Sequence, residues 1–154
     1  MNIYVHQSQK RFPIDESSVS SVVLSVLEGE KQKADEVAIH FVGSRKICSL
    51  HEEYFQDPTL TDCISFPIDG PETKGYRVLG EVFICPEMGF KQLSTHDRAV
   101  ESLLYEEFTL YVVHGLLHLL GYDDIEESDI AVMRAKEKFH MDRLRQTNKM
   151  LKVR

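Results

Sequence analysis

The hydrophobic pattern changes period several times along the chain. Residues 2–6 read as a short strand, and after Pro13 the set Val19, Val22, Val23, Val26 and Leu27 recurs at helical spacing, predicting an amphipathic helix. In 37–42 the apolar Val37, Ile39 and Phe41 alternate with Ala38, His40 and Val42, the period of a strand. Gly43 and Ser44 supply a turn, and Ile47, Leu50 and Tyr54 then mark a second helix. Two further strands are predicted, 63–66 closed by Pro67 and 78–85 closed by Pro86, because proline seldom continues a central strand. The pattern of 97–120 is one long helix. Between 108 and 120 only Thr109, His114, Gly115 and His118 interrupt its apolar residues, which describes a helix buried on every side. Gly121 suits the left-handed position that ends a helix. Ile130, Met133, Met141 and Leu144 suggest a last amphipathic helix, and the tail 149–154 is expected to fray.

These elements, with no repeat or long linker between them, predict one domain spanning 1–154. Hydrophobic residues at 42% and charged residues at 28% are ordinary globular usage, which excludes wholesale disorder. The uncharged stretch 108–122 is shorter than the roughly 18–20 apolar residues of a spanning helix, so no membrane segment is expected. Residues 1–11 lack the apolar region of a secretory signal, and a cytoplasmic location is expected. Cys48, Cys63 and Cys85 form an odd set without Cys-x-x-Cys spacing, which suits reduced thiols packed as small hydrophobes. A net charge of −7 argues against tight non-specific duplex binding. Nucleic acid stays open as a partner, because a bound cation creates a local positive site in an acidic protein.

The candidate chemistry lies in His114-Gly-Leu-Leu-His118-Leu-Leu-Gly121-Tyr-Asp-Asp124. Positions i and i+4 share a helix face, so the two imidazoles can aim at one point, and the reversal at Gly121 can return Asp124 over the same face as a third ligand. Two satisfied core histidines and a solvated aspartate are the competing account. Against it, an unpartnered imidazole in an apolar helix costs roughly 1–3 kcal/mol, which a metal partly removes. The ligand spacing matches the metzincin pattern H-E-x-x-H-x-x-G-x-x-H, with Gly115 in place of the general-base glutamate. Three protein ligands with an open fourth position describe catalytic zinc better than structural zinc, with hydrolysis through metal-bound water.

The same segment resembles the signature H-G-x-L-H-L-x-G-Y-D-H of the YbeY endoribonucleases. Thr61-Asp62-Cys63-Ile64-Ser65-Phe66-Pro67 is similar to that family's T-D-V-L-S-F-P, and Leu79-Gly80-Glu81-Val82-Phe83-Ile84-Cys85-Pro86 to its L-G-D-I-x-I-C-P. The resemblance implies an α/β fold, a single domain with a small mixed four-stranded sheet, surrounding helices and a buried metal-binding helix. It also implies a zinc-dependent, single-strand-specific endoribonuclease acting in 16S rRNA 3′-end maturation and ribosome quality control, with rRNA and ribosomal particles as partners. By position it makes His114, His118 and Asp124 the metal ligands and catalytic centre, Asp124 departing from the usual histidine. A carboxylate in that place lowers the formal charge of the site, so manganese or iron competes better with zinc. Phe55 follows Tyr54 where the family typically has arginine, a residue suited to phosphate or transition-state charge.

Thr61, Asp62 and Ser65 are cleft candidates. Turn or capping roles stay open for the first two, and a backbone hydrogen bond for Ser65. Asp123 is the candidate outer partner of a ligand histidine. Lys136, Lys138, Arg143, Arg145, Lys149, Lys152 and Arg154 form either a solvated helix face or an rRNA contact. Two other functions compete: a peptidase-like hydrolase taking Glu81 or Glu107 as base, and a ribosome-associated binding protein with a structural metal, which Phe55 favours.

Overall fold

The computed structural model describes residues 1–57 and 61–154. In chain order the elements are β1 (Asn2–Gln7), α1 (Glu16–Glu30), β2 (Glu36–Phe41), α2 (Ser44–Phe55), β3 (Cys63–Pro67), β4 (Val78–Ile84), α3 (Pro86–Gln92), α4 (Thr95–Arg98), α5 (Glu101–Leu119) and α6 (Glu127–Gln146). The strands form a mixed sheet of order β1-β2-β4-β3, parallel except for β3, which runs antiparallel to β4. This is the predicted mixed four-stranded α/β domain. Among the described residues no helix is long and apolar enough to cross a membrane.

Alternation in β2 divides the protein into two layers of core. Val37, Ile39 and Phe41 are fully buried with Leu79, Val82 and Ile84 in the main cluster, beneath α1 and α5. Val42, Ile64 and Cys85 pack with Ile47 and Leu50 of α2 on the opposite face. Leu79 and Val82 share a face only because the β2/β4 register shifts between Glu36 and Ala38, leaving an extra residue in β4. Gly80, at φ 142°, occupies that bulge, and a Cβ there would collide with the Phe66 carbonyl oxygen.

Three expectations need correction, and one short helix went unmarked in the pattern. The helix expected over 97–120 is broken: α4 ends at Arg98 with Ala99 as its cap, and Val100 is extended (φ −99°, ψ 108°) before α5 begins. Its β-branched side chain suits that conformation, while the apolar period runs on unbroken. The unmarked helix, α3, begins at Pro86, in its first turn, where the missing N–H costs nothing. Ile130 is exposed, so the buried stripe of α6 begins at Met133. The tail 149–154 is docked. Leu151 is buried, its N–H donates to Thr109 Oγ1 at 3.0 Å, and the Lys152 N–H donates to Ser18 Oγ at 3.0 Å. Val153 then bridges Ile14.

Candidate metal centre and cleft

α5 is buried along most of its length, yet His114 and His118 keep 20% and 24% of their side chains exposed, on the flank facing a cleft. Gly115, next along the helix, faces the sheet instead. A Cβ there would meet Val82 Cγ1 inside any permitted distance and Cys63 Sγ at 3.0 Å. The helix therefore lies close on β3 and β4, and Ser65 Oγ donates to the Gly115 carbonyl at 3.1 Å. That geometry explains why a metzincin-type glutamate is missing: its position points into packed sheet rather than into the cleft.

The helix ends in two reciprocal bonds, Tyr122 N–H to the Leu117 carbonyl and Gly121 N–H to that of His118, both 3.0 Å, with Gly121 at φ 103°. The reversal brings Asp124 back over the histidines. His114 Nε2 and His118 Nε2 are 3.0 Å apart, and Asp124 Oδ2 lies 3.6 Å and 3.5 Å from them. A tetrahedral ion with ligand distances of about 2.0–2.2 Å requires ligand atoms separated by about 3.3–3.6 Å. Both carboxylate separations match such an ion, and the carboxylate is too distant for a hydrogen bond to either ring. The two imidazole nitrogens, hydrogen-bonded to each other, would move apart by a few tenths of an ångström to receive the ion. Among the described residues these three form the group able to hold a metal.

The other nitrogen of His114 meets a carboxylate that sequence reasoning missed. Nδ1 lies 2.7 Å from Glu137 Oε2, and Arg134 Nη1 donates to Glu137 Oε1 at 2.6 Å. Glu137, on α6, is buried. Burial alone would raise its pKa, but the bonds from His114 and Arg134 outweigh it and hold the carboxyl below its ordinary value. Ionised Glu137 draws the ring proton to Nδ1 and leaves Nε2 as a lone-pair donor facing Asp124. Asp123, expected in that role, instead accepts the Asp124 N–H at 2.8 Å and so braces the turn. The signal for Glu137 was present: with Met133, His140, Met141 and Leu144 it continues the buried helical stripe, where an acid requires a partner. Tyr122 anchors the same turn from below, donating to buried Glu30 Oε1 at 2.6 Å.

A cleft of about 550 Å³ opens beside the donors, lined among others by Phe55, Thr61, Asp62, Ser65, His118 and Asp124. A second, of about 370 Å³, adjoins it and shares Asp62, His114 and Asp124. The sequence candidates Thr61, Asp62 and Ser65 are thus brought to the site. Burial raises the pKa of Asp62. Cys63, beneath Gly115, has its thiol pKa pushed up by burial. The two proposed bases separate. Glu107 lines the second cleft, whereas Glu81 points away from α5, paired with His40 at 2.9 Å. Much of the late basic series is committed internally: Lys136 to Glu30, Lys138 to Asp142, Arg143 to the Ser25 carbonyl, and Arg145 to Glu106 and Asp142.

Fold and site together define a class: a mixed α/β domain with a preformed His-His-Asp group at the junction of two clefts, fit for a divalent ion. Residues 4–145 match the family described as Endoribonuclease YbeY. The protein of that description from Protochlamydia amoebophila is 45% identical over 136 residues, 88% of each chain. That from Chlamydia abortus is 40% identical over 153 residues, 98% of this chain and 96% of the relative. The chain belongs to the YbeY family of endoribonucleases. A solution structure of TM1509 from Thermotoga maritima shares the fold, with a TM-score of 0.59 at 19% identity, covering 96% of this chain and 94% of the other.

Proposed function

We propose that this protein is a metal-dependent, single-strand-specific endoribonuclease acting in the cytoplasm on rRNA, in 16S 3′-end maturation and ribosome quality control. His114, His118 and Asp124 hold one divalent cation, zinc first and manganese or iron as competitors. Family membership supports RNA as the substrate. The observation that carries the site assignment is the convergence of the three donor atoms on one point, each pair 3.0–3.6 Å apart. A cation held there supplies a Lewis acid for a phosphodiester oxygen and acidifies a water. Glu137 orients His114, Tyr122 and Asp123 hold the turn that presents Asp124, and Ser65 ties α5 to β3. Asp62 and Thr61 face the bound strand from the cleft wall.

Purified protein incubated with single-stranded RNA, duplex RNA and casein should cut only the first, and chelator should stop it. Cleavage surviving in His114→Ala would assign the activity to a contaminant. Phe55, a ring on the cleft wall without charge, favours one other reading, a ribosome-associated binding protein with a structural metal. Co-sedimentation with precursor ribosomal particles and no cleavage would establish that alternative.

A further inference from the structure

Both clefts are acidic. Among the described residues the larger is lined by Asp62, Asp123 and Asp124, and the smaller by Asp62, Glu107, Asp124 and Glu137, and across the two linings Arg134, in the smaller, is the one lysine or arginine. Single-stranded RNA brings one negative charge with every phosphate, so a strand crossing the donors would meet carboxylates on both sides and one compensating cation, Arg134.

Arg134 stands one helical turn before Glu137 on α6. Its link to Glu137 uses one of the five guanidinium donors, and among the described residues Glu137 is its one hydrogen-bonding partner. The side chain is 65% exposed, so the remaining donors face the cleft mouth. Asp62 and Asp124 both feel its charge. The bond to buried Glu137 helps keep that carboxylate ionised, but it occupies one donor and leaves the rest of the guanidinium without an assigned role.

We infer that Arg134 is the phosphate-binding residue of this centre, its fork gripping a phosphate of the RNA strand seated over His114 and Asp124. Glu137 then has two tasks: it orients His114 with one oxygen and aims the guanidinium with the other. A planar fork matches phosphate oxygens in pairs, and its charge offsets part of the acidic lining around the donors. The inference rests on the reading of the site as a ribonuclease centre.

The test measures binding of a fluorescein-labelled single-stranded RNA by stopped-flow anisotropy, before cleavage, across a potassium chloride series. Zinc affinity is measured in parallel against a chromophoric chelator. Arg134→Gln should weaken RNA binding several-fold at low salt and make the plot of log K against log salt shallower by about 0.7, the value of one phosphate contact on a single strand. Arg134→Lys should recover the slope while leaving the cleavage rate reduced, because a point charge replaces the fork. Zinc affinity should hold in both variants. An unchanged salt slope in Arg134→Gln overturns the inference, and a fall in zinc affinity alongside it would assign Arg134 to positioning Glu137 alone. Wild-type protein that neither binds nor cuts the RNA overturns the nuclease reading, and this inference with it.

Discussion

Gly115 sets the height of α5, which carries His114 and His118, above the sheet, and adding one methyl group there tests it. Alanine gains about 1 kcal/mol of helix propensity over glycine. Its Cβ, however, would press on both Val82 methyls and on Cys63 Sγ, and Val82 is fully buried and cannot swing aside. Overpacking of this kind costs about 1–3 kcal/mol, and contacts this short place the site at the upper end, for a net loss of about 2 kcal/mol. At about 2–4 °C per kcal/mol for a chain of this size, the midpoint should fall by roughly 4–8 °C. Val82→Ala alone removes two methyl groups and should cost about 2–3 kcal/mol, transfer and cavity combined. In the double variant the new methyl enters the vacated space, so it should be no less stable than Val82→Ala. Urea titration of the four proteins then gives a coupling of about 2 kcal/mol, and zinc affinity, weakened in Gly115→Ala by displacement of neighbouring His114, should recover with it. Additivity within about 0.5 kcal/mol would refute the close-packing argument.

Removing the acid behind His114 should weaken metal binding more than it weakens the fold: Glu137→Ala is expected to lose about 10–100-fold in zinc affinity by calorimetry, and Glu137→Gln less. The pH–rate profile of the native enzyme should lie alkaline of Asp124→His, because a carboxylate donor lowers the site's formal charge and acidifies a water less. Identical profiles would count against ligation by Asp124. Burial raises the Glu30 pKa, but bonds from Tyr122, His140 and Lys136 outweigh it and leave the group below its ordinary value. Its contribution is therefore present at neutral pH and lost as pH falls through the folded-state value, so Glu30→Gln should flatten the acid limb of a stability-versus-pH curve. Truncation after Asn148 uncovers the pocket of Leu151 and frees the Thr109 and Ser18 hydroxyls, and should lower stability by about 2–4 kcal/mol in urea titration.

The elements legible in advance are those whose signal is local. Alternation in β2 declared its two faces, and the i, i+4 histidines followed by Gly121 and Asp124 were readable because helix geometry and a left-handed cap operate within a few residues. The break before α5 left no such mark, since the apolar period runs through Ala99 and Val100 unchanged. The tail 149–154 carries no periodicity of its own, and its order comes from hydroxyls waiting on α1 and α5.

The amino-acid order by itself determined the donors and the turn that can gather them, because each depends on neighbours close along the chain. Only tertiary packing decided what surrounds them. α6 crosses α5 to set Glu137 behind one imidazole and Arg134 at the cleft mouth, and α1 sends Glu30 to the ligand turn. The physical reason is that a carboxylate or guanidinium acquires its role from the charge and proton it faces across space, and no local period along the sequence records that facing.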